Sequence, residues 1–281
     1  MNPVTGPAGT PTPPARRPRL RRWARRLVIA LAATLALVTC ASFGYNALTA
    51  GRAAPPAGQA YVRAADVRTR YRVWGTTGSP IVLVHGAFES ADTWSRLAPL
   101  LARDHRVYAL DLTGAGYSTR RGPYTAGHLA AQLRGFLDAM DLGASGRRPL
   151  LVAHSSGAAV AAEATLRAPG RIGGLLMLDG DALNTGAGAR TPIGHVLFNP
   201  YRTSLLRLGL RSDRLIRTFY NAQCGPSCPP LDHAGVQVWR RPYQVAGGEP
   251  GLWGSLAAGR TTQMRVAVRT CAHCCPVRWW S

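Results

Sequence analysis

The sequence contains no lysine, so all 34 of its basic residues are arginine. Acidic residues are few as well, because 13 Asp and Glu leave a net charge of +21. The excess is uneven: residues 1–26 carry seven arginines and no acid, and residues 260–281 carry four arginines and no acid. No RNA- or DNA-binding motif accompanies this charge, so we do not expect nucleic acid as a partner. An arginine-only, Ala-, Gly- and Pro-rich composition is as typical of a GC-rich coding sequence as of a basic surface.

Charged side chains are absent from residues 27–51, which follow a basic N-terminal segment. Residues 1–26 hold six prolines and seven arginines, a composition that predicts a disordered segment. The apolar run is long enough to cross a bilayer core of about 30 Å. Arginine on its N-terminal side predicts a cytoplasmic N-terminus. We therefore expect a signal anchor at residues 27–50 in the cell membrane, a linker at residues 51–58 and an extracytoplasmic main body.

Three other interpretations of the apolar run remain open. It also fits a buried core helix. The stretch Leu37-Val38-Thr39-Cys40 loosely resembles a lipoprotein cleavage box, and Arg25-Arg26 loosely resembles a twin-arginine signal. The sequence does not decide whether the segment is cleaved.

The body of the chain, residues 59–185, alternates short apolar runs with stretches of helical periodicity. Continuous apolar runs predict buried parallel strands, and strands that alternate with helices predict crossover connections. The strand Leu150–Ala153 is followed by a sharp turn at Ser155 and a predicted helix, Ala158–Ala168. The other predicted elements are a hairpin of Tyr61–Arg63 and Thr69–Trp74, a strand ending at His85, a strand at Val107–Leu110, a helix within 126–140 and a strand ending near Asp179.

Three motifs in this body resemble the α/β-hydrolase superfamily, and they occur in the order which that family shows. His85-Gly86-Ala87-Phe88 resembles its oxyanion turn, the loop from Asp111 to Ser118 resembles the one after its fourth strand, and Ala153-His154-Ser155-Ser156-Gly157 resembles its nucleophile elbow. The resemblance implies an α/β fold with a mainly parallel sheet, crossover helices and a helical cap, here residues 186–258.

The resemblance further implies that Ser155 is a nucleophile and that the N–H groups of Ala87 and Ser156 form an oxyanion hole. Such a site serves acyl transfer to water without a cofactor or metal. Serine at this position argues against the dehalogenase and epoxide-hydrolase branches, which need a carboxylate there. The alternative is that Ser155 is a turn serine in a non-catalytic relative.

Two cysteines in the predicted cap, Cys224 and Cys228, are separated by Gly-Pro-Ser. An extracytoplasmic compartment permits a disulfide, which we predict between them. The alternative is a metal pair completed by His233.

The usual acid and histidine of this family are hard to place. No Asp or Glu follows Glu249, and the only later histidine is His273. The remaining candidates are Asp181 as the acid and His273 as the base. The tail, residues 259–281, is too short for the last two strands at ordinary element lengths. Its cysteines around His273 offer another interpretation, a small metal knot.

Back-translation of the tail suggests a frame change. Read from the third base of each codon after Arg269, it permits D-L-R-x-L-L-P-x-P-V-V-V, which resembles the family's seventh strand. We therefore expect a chain that is truncated, or out of frame from about Val268. The resulting hypothesis is a membrane-anchored serine hydrolase for a small-molecule acyl substrate, whose activity depends on the missing region. The alternatives are a non-catalytic, membrane-tethered protein that binds a ligand or partner, and a pseudogene product that never accumulates.

Overall fold

The computed structural model describes residues 17–51, 53–143, 146–180, 200–224 and 228–258. The chain divides into two compact units, Met1–Leu48 and Thr49–Ser281. The second unit holds the sheet, its flanking helices and the predicted cap.

The first unit contains a single described helix, α1 (Arg17–Leu48). Its part Arg21–Leu48 contains an 18-residue stretch with a mean hydropathy of 2.2 and is long enough to cross a membrane, although a signal sequence has the same properties. Residues 17–26 were predicted to be disordered, and that prediction is wrong because they are helical. Pro18 lies in the first turn, where its missing N–H costs no hydrogen bond, and arginine is a good helix former.

The sheet of the second unit has six strands in the order β1-β2-β4-β3-β5-β6. β1 and β2 form an antiparallel hairpin, β2 pairs antiparallel with β4, and the four strands from β4 to β6 are parallel. The mainly parallel sheet is therefore confirmed. The strands are β1 (Ala60–Ala64), β2 (Val67–Trp74), β3 (Ser79–Val84), β4 (His105–Leu110), β5 (Leu150–His154) and β6 (Gly174–Leu178).

Helices cover both faces of this sheet, which explains the continuous apolar runs. Val82 and Val84 of β3 face the cluster that contains Phe136, whereas Leu83 faces the opposite cluster with Trp94. Between the strands lie the 3₁₀ segments Ala91–Ser95 and Pro169–Arg171 and the helices α2 (Ala98–Leu101), α3 (Ala126–Ala139) and α4 (Gly157–Arg167).

Within the described residues, β6 has a strand neighbour on one side only. Leu176 in this strand is 39% exposed, whereas the central strand β3 is buried along most of its length. The predicted tail, residues 259–281, lies outside the described residues.

The described residues of the predicted cap region, 200–224 and 228–258, contain four helices. The stretch from Ser204 to Ala222 is broken at Ser212, whose extended backbone ends one helix before Asp213 starts the next. The four helices are α5 (Tyr201–Arg211), α6 (Asp213–Cys224), α7 (His233–Gln244) and α8 (Gly248–Ala258).

Candidate active site

Ser155 lies at the turn between β5 and α4. Its φ of +49° falls in the left-handed region, which a residue with a Cβ enters only at a cost. The Ser155 N–H donates to the carbonyl of Leu178 in β6 at 2.9 Å, so the turn is tied to the neighbouring strand. The residue is partly exposed, while Ala153 and Gly157 on either side are buried. The strained turn of a nucleophile elbow is therefore present at the predicted serine.

Two glycines allow the elbow to pack against the turn after β3. A Cβ on Gly157 would lie 2.4 Å from the carbonyl oxygen of His85, and one on Gly86 would lie 2.9 Å from the Cβ of Ser155. Both distances are shorter than any ordinary carbon contact. The glycines therefore let the residues from His85 to Phe88, which we call the oxyanion turn, lie directly beside Ser155.

The proposed oxyanion donors belong to these two segments. Ala87 lies in the oxyanion turn, and in the described part of the chain its N–H donates to no acceptor. Phe88 follows it with a φ of +65°. Ser156 is the N-terminal cap residue of α4, so its N–H lies at the positive end of the helix dipole. Ala87 belongs to the turn that packs beside Ser155, and Ser156 follows Ser155 in the chain; their role as oxyanion donors stays a prediction.

His85 supports the oxyanion turn and is completely buried. Its Nε2 accepts the N–H of Leu112 at 3.0 Å, so the ring proton is on Nδ1, which donates to the carbonyl of Gly86 at 2.7 Å. Both ring nitrogens are engaged in holding backbone. His85 is thus a structural histidine and not a base.

Asp111 joins the 3₁₀ segment Ala91–Ser95 to the loop after β4. Its two carboxylate oxygens accept the N–H groups of Ala91 and Tyr117, each at 2.7 Å. Ser118 donates its hydroxyl to the Asp111 carbonyl at 2.6 Å. Complete burial raises the pKa of Asp111, and the Arg70 guanidinium acts in the opposite direction. These contacts hold the loop in place. Because both carboxylate oxygens of Asp111 are engaged in them, the role of this residue is structural.

A pair that sequence reasoning missed lies next to Ser155. The Glu89 carboxylate contacts Nδ1 of His154 at 2.9 Å and accepts the N–H of Gly86 at 2.6 Å. Burial acts to raise the pKa of Glu89, but hydrogen bonding and the charge of His154 outweigh it, so that pKa is lowered. The hydrogen bond that Nδ1 of His154 donates to Glu89 raises the pKa of His154. The only sequence signal was a glutamate three residues after Gly86.

An apolar cavity of about 270 Å³ lies between the cap helices and the oxyanion turn. The cap contacts that turn through Phe88, whose ring packs edge-on against Phe219 with centroids 5.6 Å apart. The Tyr243 hydroxyl donates to the Phe88 carbonyl at 3.2 Å. The remaining lining residues come from the cap and are Leu205, Leu206, Gly209, Leu210, Leu215, Ile216 and Trp239.

The acid and the base of the proposed triad are not among these residues. Asp181 and His273 both lie outside the described residues. In the described part of the chain, the Ser155 hydroxyl has no hydrogen-bond partner, so neither His85 nor His154 takes the place of the base.

Cys224 ends α6 and Cys228 follows the short connection after it. Their Cα atoms are 5.7 Å apart and their sulfur atoms are joined. This spacing lies within the range that disulfides require.

Comparison with known proteins gives the family context of this site. A model of the α/β hydrolase family matches residues 81–273. Over 85 residues the chain is 36% identical to a 2-hydroxy-6-oxo-6-(2'-aminophenyl)hexa-2,4-dienoic acid hydrolase of Metapseudomonas resinovorans, a match that covers 29% of each protein. The matches to this protein and to three further curated relatives cover between 29% and 37% of each relative's own length.

Solved structures of similar fold include wild-type Cfl2 from Burkholderia cenocepacia and the epoxide hydrolase VrEH1 from Vigna radiata. Cfl2 has a TM-score of 0.60 at 24% identity, with 75% of this chain and 74% of that chain covered. VrEH1 has a TM-score of 0.59 at 18% identity, with 74% of each chain covered. At these identities the likeness concerns the fold alone.

Proposed function

Because the chain belongs to the α/β-hydrolase family, we propose that it is a membrane-anchored serine hydrolase that cleaves an ester or similar acyl bond in a small molecule. The observation that carries this proposal is Ser155 itself. It is a partly exposed serine held at positive φ between a buried strand and a helix, beside the oxyanion turn. Backbone strain of this kind persists where the surrounding structure imposes it, and nucleophile elbows are such places.

In the proposed reaction the Ser155 Oγ attacks the carbonyl carbon of the substrate. The carbonyl oxygen becomes an oxyanion that accepts hydrogen bonds from the N–H groups of Ala87 and Ser156. The hydroxyl proton passes to the base and then to the leaving alcohol, which departs and leaves an acyl-serine. Water, deprotonated by the same base, attacks the acyl carbon and releases the acid and the free serine. Our candidates for the base and the acid that orients it are His273 and Asp181.

The substrate class follows from the cavity beside the oxyanion turn. Its lining offers aliphatic and aromatic surface and almost no polar group, so it suits an uncharged hydrocarbon portion of the substrate. The epoxide hydrolases among the structural neighbours share the fold. Serine in place of a nucleophilic carboxylate at residue 155 favours acyl chemistry for this chain. The likeness to a dienoic acid hydrolase over 85 residues is consistent with a hydrolytic reaction.

The proposed location is the cell membrane, with the N-terminus in the cytoplasm and the hydrolase unit outside. Support comes from the helix Arg21–Leu48 and from the arginines of residues 1–26, which lie on the N-terminal side of its uncharged part. A disulfide between Cys224 and Cys228 belongs to the same proposal, because disulfides persist in oxidising compartments.

Labelling with a fluorophosphonate probe tests the proposal directly. We expect the full-length protein to be labelled, and we expect Ser155→Ala to abolish labelling because the reacting oxygen is lost. Ser79→Ala is the matched control, since this serine contacts His105 at the start of β3 and lies outside the proposed machinery. A folded wild-type protein that is never labelled would contradict the proposal and favour the non-catalytic binding protein.

The base requires a separate experiment. If His273 is the base, His273→Asn will slow both labelling and ester turnover strongly, while the protein remains folded. Resequencing the gene from the codon of Thr261 belongs with this test, because a changed frame near Val268 would move the base to another residue. An unchanged labelling rate in His273→Asn would exclude His273 from the mechanism.

A further inference from the structure

We propose that Glu89 and His154 are positioning residues that hold the oxyanion turn through a charge pair, so that the reactivity of Ser155 depends on the proton of His154. The inference rests on the proposed function for its kinetic consequence. Its structural part, the dependence of the oxyanion turn on the pair, is independent of whether the chain is an enzyme.

The first step of the argument is that Gly86 is held at both ends. Its N–H donates to the Glu89 carboxylate at 2.6 Å, and its carbonyl accepts from Nδ1 of His85 at 2.7 Å. The carbonyl of Gly86 and the N–H of Ala87 belong to one rigid peptide plane. Glycine has little conformational preference of its own, so these two contacts determine where the Ala87 N–H points.

The second step concerns the carboxylate itself. The side chain of Glu89 is 12% exposed, and the same oxygen, Oε2, contacts both Gly86 and Nδ1 of His154. A carboxylate so close to the oxyanion hole repels the negative charge that develops during acyl transfer. A protonated His154 makes the pair neutral overall and holds the carboxylate in place. When His154 is neutral, the negative charge of Glu89 beside the oxyanion turn is not compensated. The contact between Glu89 and His154 is then also weaker.

The groups that face this pair come from three further positions. Asp179, which follows β6, acts on His154 and favours its protonated form. The ring of His85, at the end of β3, is neutral, because its Nε2 accepts the N–H of Leu112. Ser155, the next residue after His154, carries no charge. Among the described residues, the charge of Asp179 therefore favours the imidazolium, in agreement with the raised pKa of His154.

The kinetic test measures the rate of fluorophosphonate labelling against pH for the full-length protein in detergent. The wild-type rate should fall by about tenfold as pH rises through the pKa of His154, since misplacing a reacting group costs one to two orders of magnitude. His154→Gln keeps a donor for Glu89 and cannot titrate, so its profile should lack this step. His105→Gln, on a histidine at the start of β4, is the matched control and should keep the step. The same step in His154→Gln as in wild type would overturn the proposal.

A second measurement does not need activity. Nuclear magnetic resonance on histidine-labelled protein follows His154. Pairwise labelling of glycine and alanine reduces the amide spectrum to the six Gly-Ala pairs of the sequence, and the signal that is lost in Ala87→Gly identifies the Ala87 amide. In wild type the Ala87 amide should shift with the titration of His154, and in Glu89→Gln the pKa of His154 should fall and the coupled shift should disappear. An Ala87 signal that ignores the titration of His154 in wild type would refute the proposal, even if the variants fold poorly.

The two measurements separate the failure of this inference from the failure of the proposed function. Absence of labelling at every pH rejects the serine hydrolase, while the resonance experiment still decides whether the pair holds the turn. Labelling without a step that depends on His154 supports the hydrolase and rejects the pair.

Discussion

At the scale of single residues, Ser155 combines exposure with backbone strain. The surrounding contacts hold Ser155 at its φ of +49°. They include the hydrogen bond from its N–H to the Leu178 carbonyl and the close approach of Gly86. In the left-handed region the Cβ lies too close to the carbonyl oxygen that follows it. Glycine has no Cβ and avoids this contact. The residue is therefore a site where stability and function oppose each other.

This opposition predicts that Ser155→Gly will be more stable than Ser155→Ala by about 0.5–1 kcal/mol, since only glycine relieves the strain, although glycine also loses more entropy on folding. Both variants lose the hydroxyl, so comparing them isolates the backbone. Urea denaturation of the two variants measures the difference. Equal stabilities would show that the turn is not strained.

The Glu89–His154 pair predicts a pH window for stability. The pKa of Glu89 is lowered from 4.5, so its contribution is present above pH 4.5 and is lost as pH falls through the folded pKa. The pKa of His154 is raised from 6.5, so its contribution is present below pH 6.5 and is lost as pH rises through the folded pKa. The melting temperatures of wild type and Glu89→Gln should thus differ most between pH 4.5 and 6.5.

Thermal melts across this range test the window, with Glu163→Gln as the control. Glu163 forms an exposed i,i+4 pair with Arg167 on α4, so its replacement should have a small effect at every pH. A difference that is constant with pH for Glu89→Gln would show that the pair is not ionised as described.

At the scale of elements, the site depends on how closely α4 approaches β3. Gly157 begins the helix, and a Cβ there would lie 2.4 Å from the His85 carbonyl and 2.8 Å from that of Val84. Backbone atoms of a central strand cannot move aside without disturbing the sheet. This close approach places the elbow beside the oxyanion turn. The packing of α4 against β3 and the geometry of the candidate site therefore both require a residue without a side chain at position 157.

Gly157→Ala is therefore expected to destabilise the protein by at least about 2 kcal/mol, in the range of overpacked cores. Gly127→Ala in α3 is the matched control: its Cβ would meet no atom closer than 4.0 Å, and alanine is the better helix former. We expect the control to be neutral or slightly stabilising. Denaturation midpoints of both variants decide the matter, and equal midpoints would contradict the close approach.

At the scale of the whole molecule, the distribution of charge along the chain is the main support for the proposed orientation in the membrane. Seven arginines precede the uncharged run of residues 27–51 and no acid accompanies them, whereas all 13 acidic residues lie in the rest of the chain. An apolar helix with one strongly basic flank orients by that flank. The proposed orientation therefore depends on a few arginines and not on the overall charge of +21.

We predict that replacing the arginines at positions 21, 22, 25 and 26 by glutamine will lower the fraction of chains whose C-terminal tag is cut by protease added to intact cells. Wild-type chains should expose the tag. The control replaces four exposed arginines of the second unit and should leave accessibility unchanged. Protection of the tag in wild type would reverse the proposed topology. The control arginines are Arg63, Arg96, Arg103 and Arg148.

Local sequence patterns were sufficient for the sheet, the hairpin, the elbow and the oxyanion turn, because each depends on neighbouring residues. Alternation predicted the hairpin, continuous apolar runs predicted buried strands, and small residues around Ser155 predicted a sharp turn. The predicted disorder of residues 17–26 was wrong, because composition was given more weight than the helix propensity of arginine next to an apolar helix.

Only the tertiary structure decided what contacts the site. Glu89 and His154 are 65 positions apart, and the contact of Phe88 with Phe219 and Tyr243 joins the oxyanion turn to the cap across a still longer separation. Such partners are chosen by the packing of elements, and no local pattern encodes them. The sequence by itself determined the order of the elements and the position of the sharp turn at Ser155, since these follow from periodicity and from the small residues around that serine. The folded chain determined which charges and rings surround that serine, because burial and contact exist only once the elements have packed.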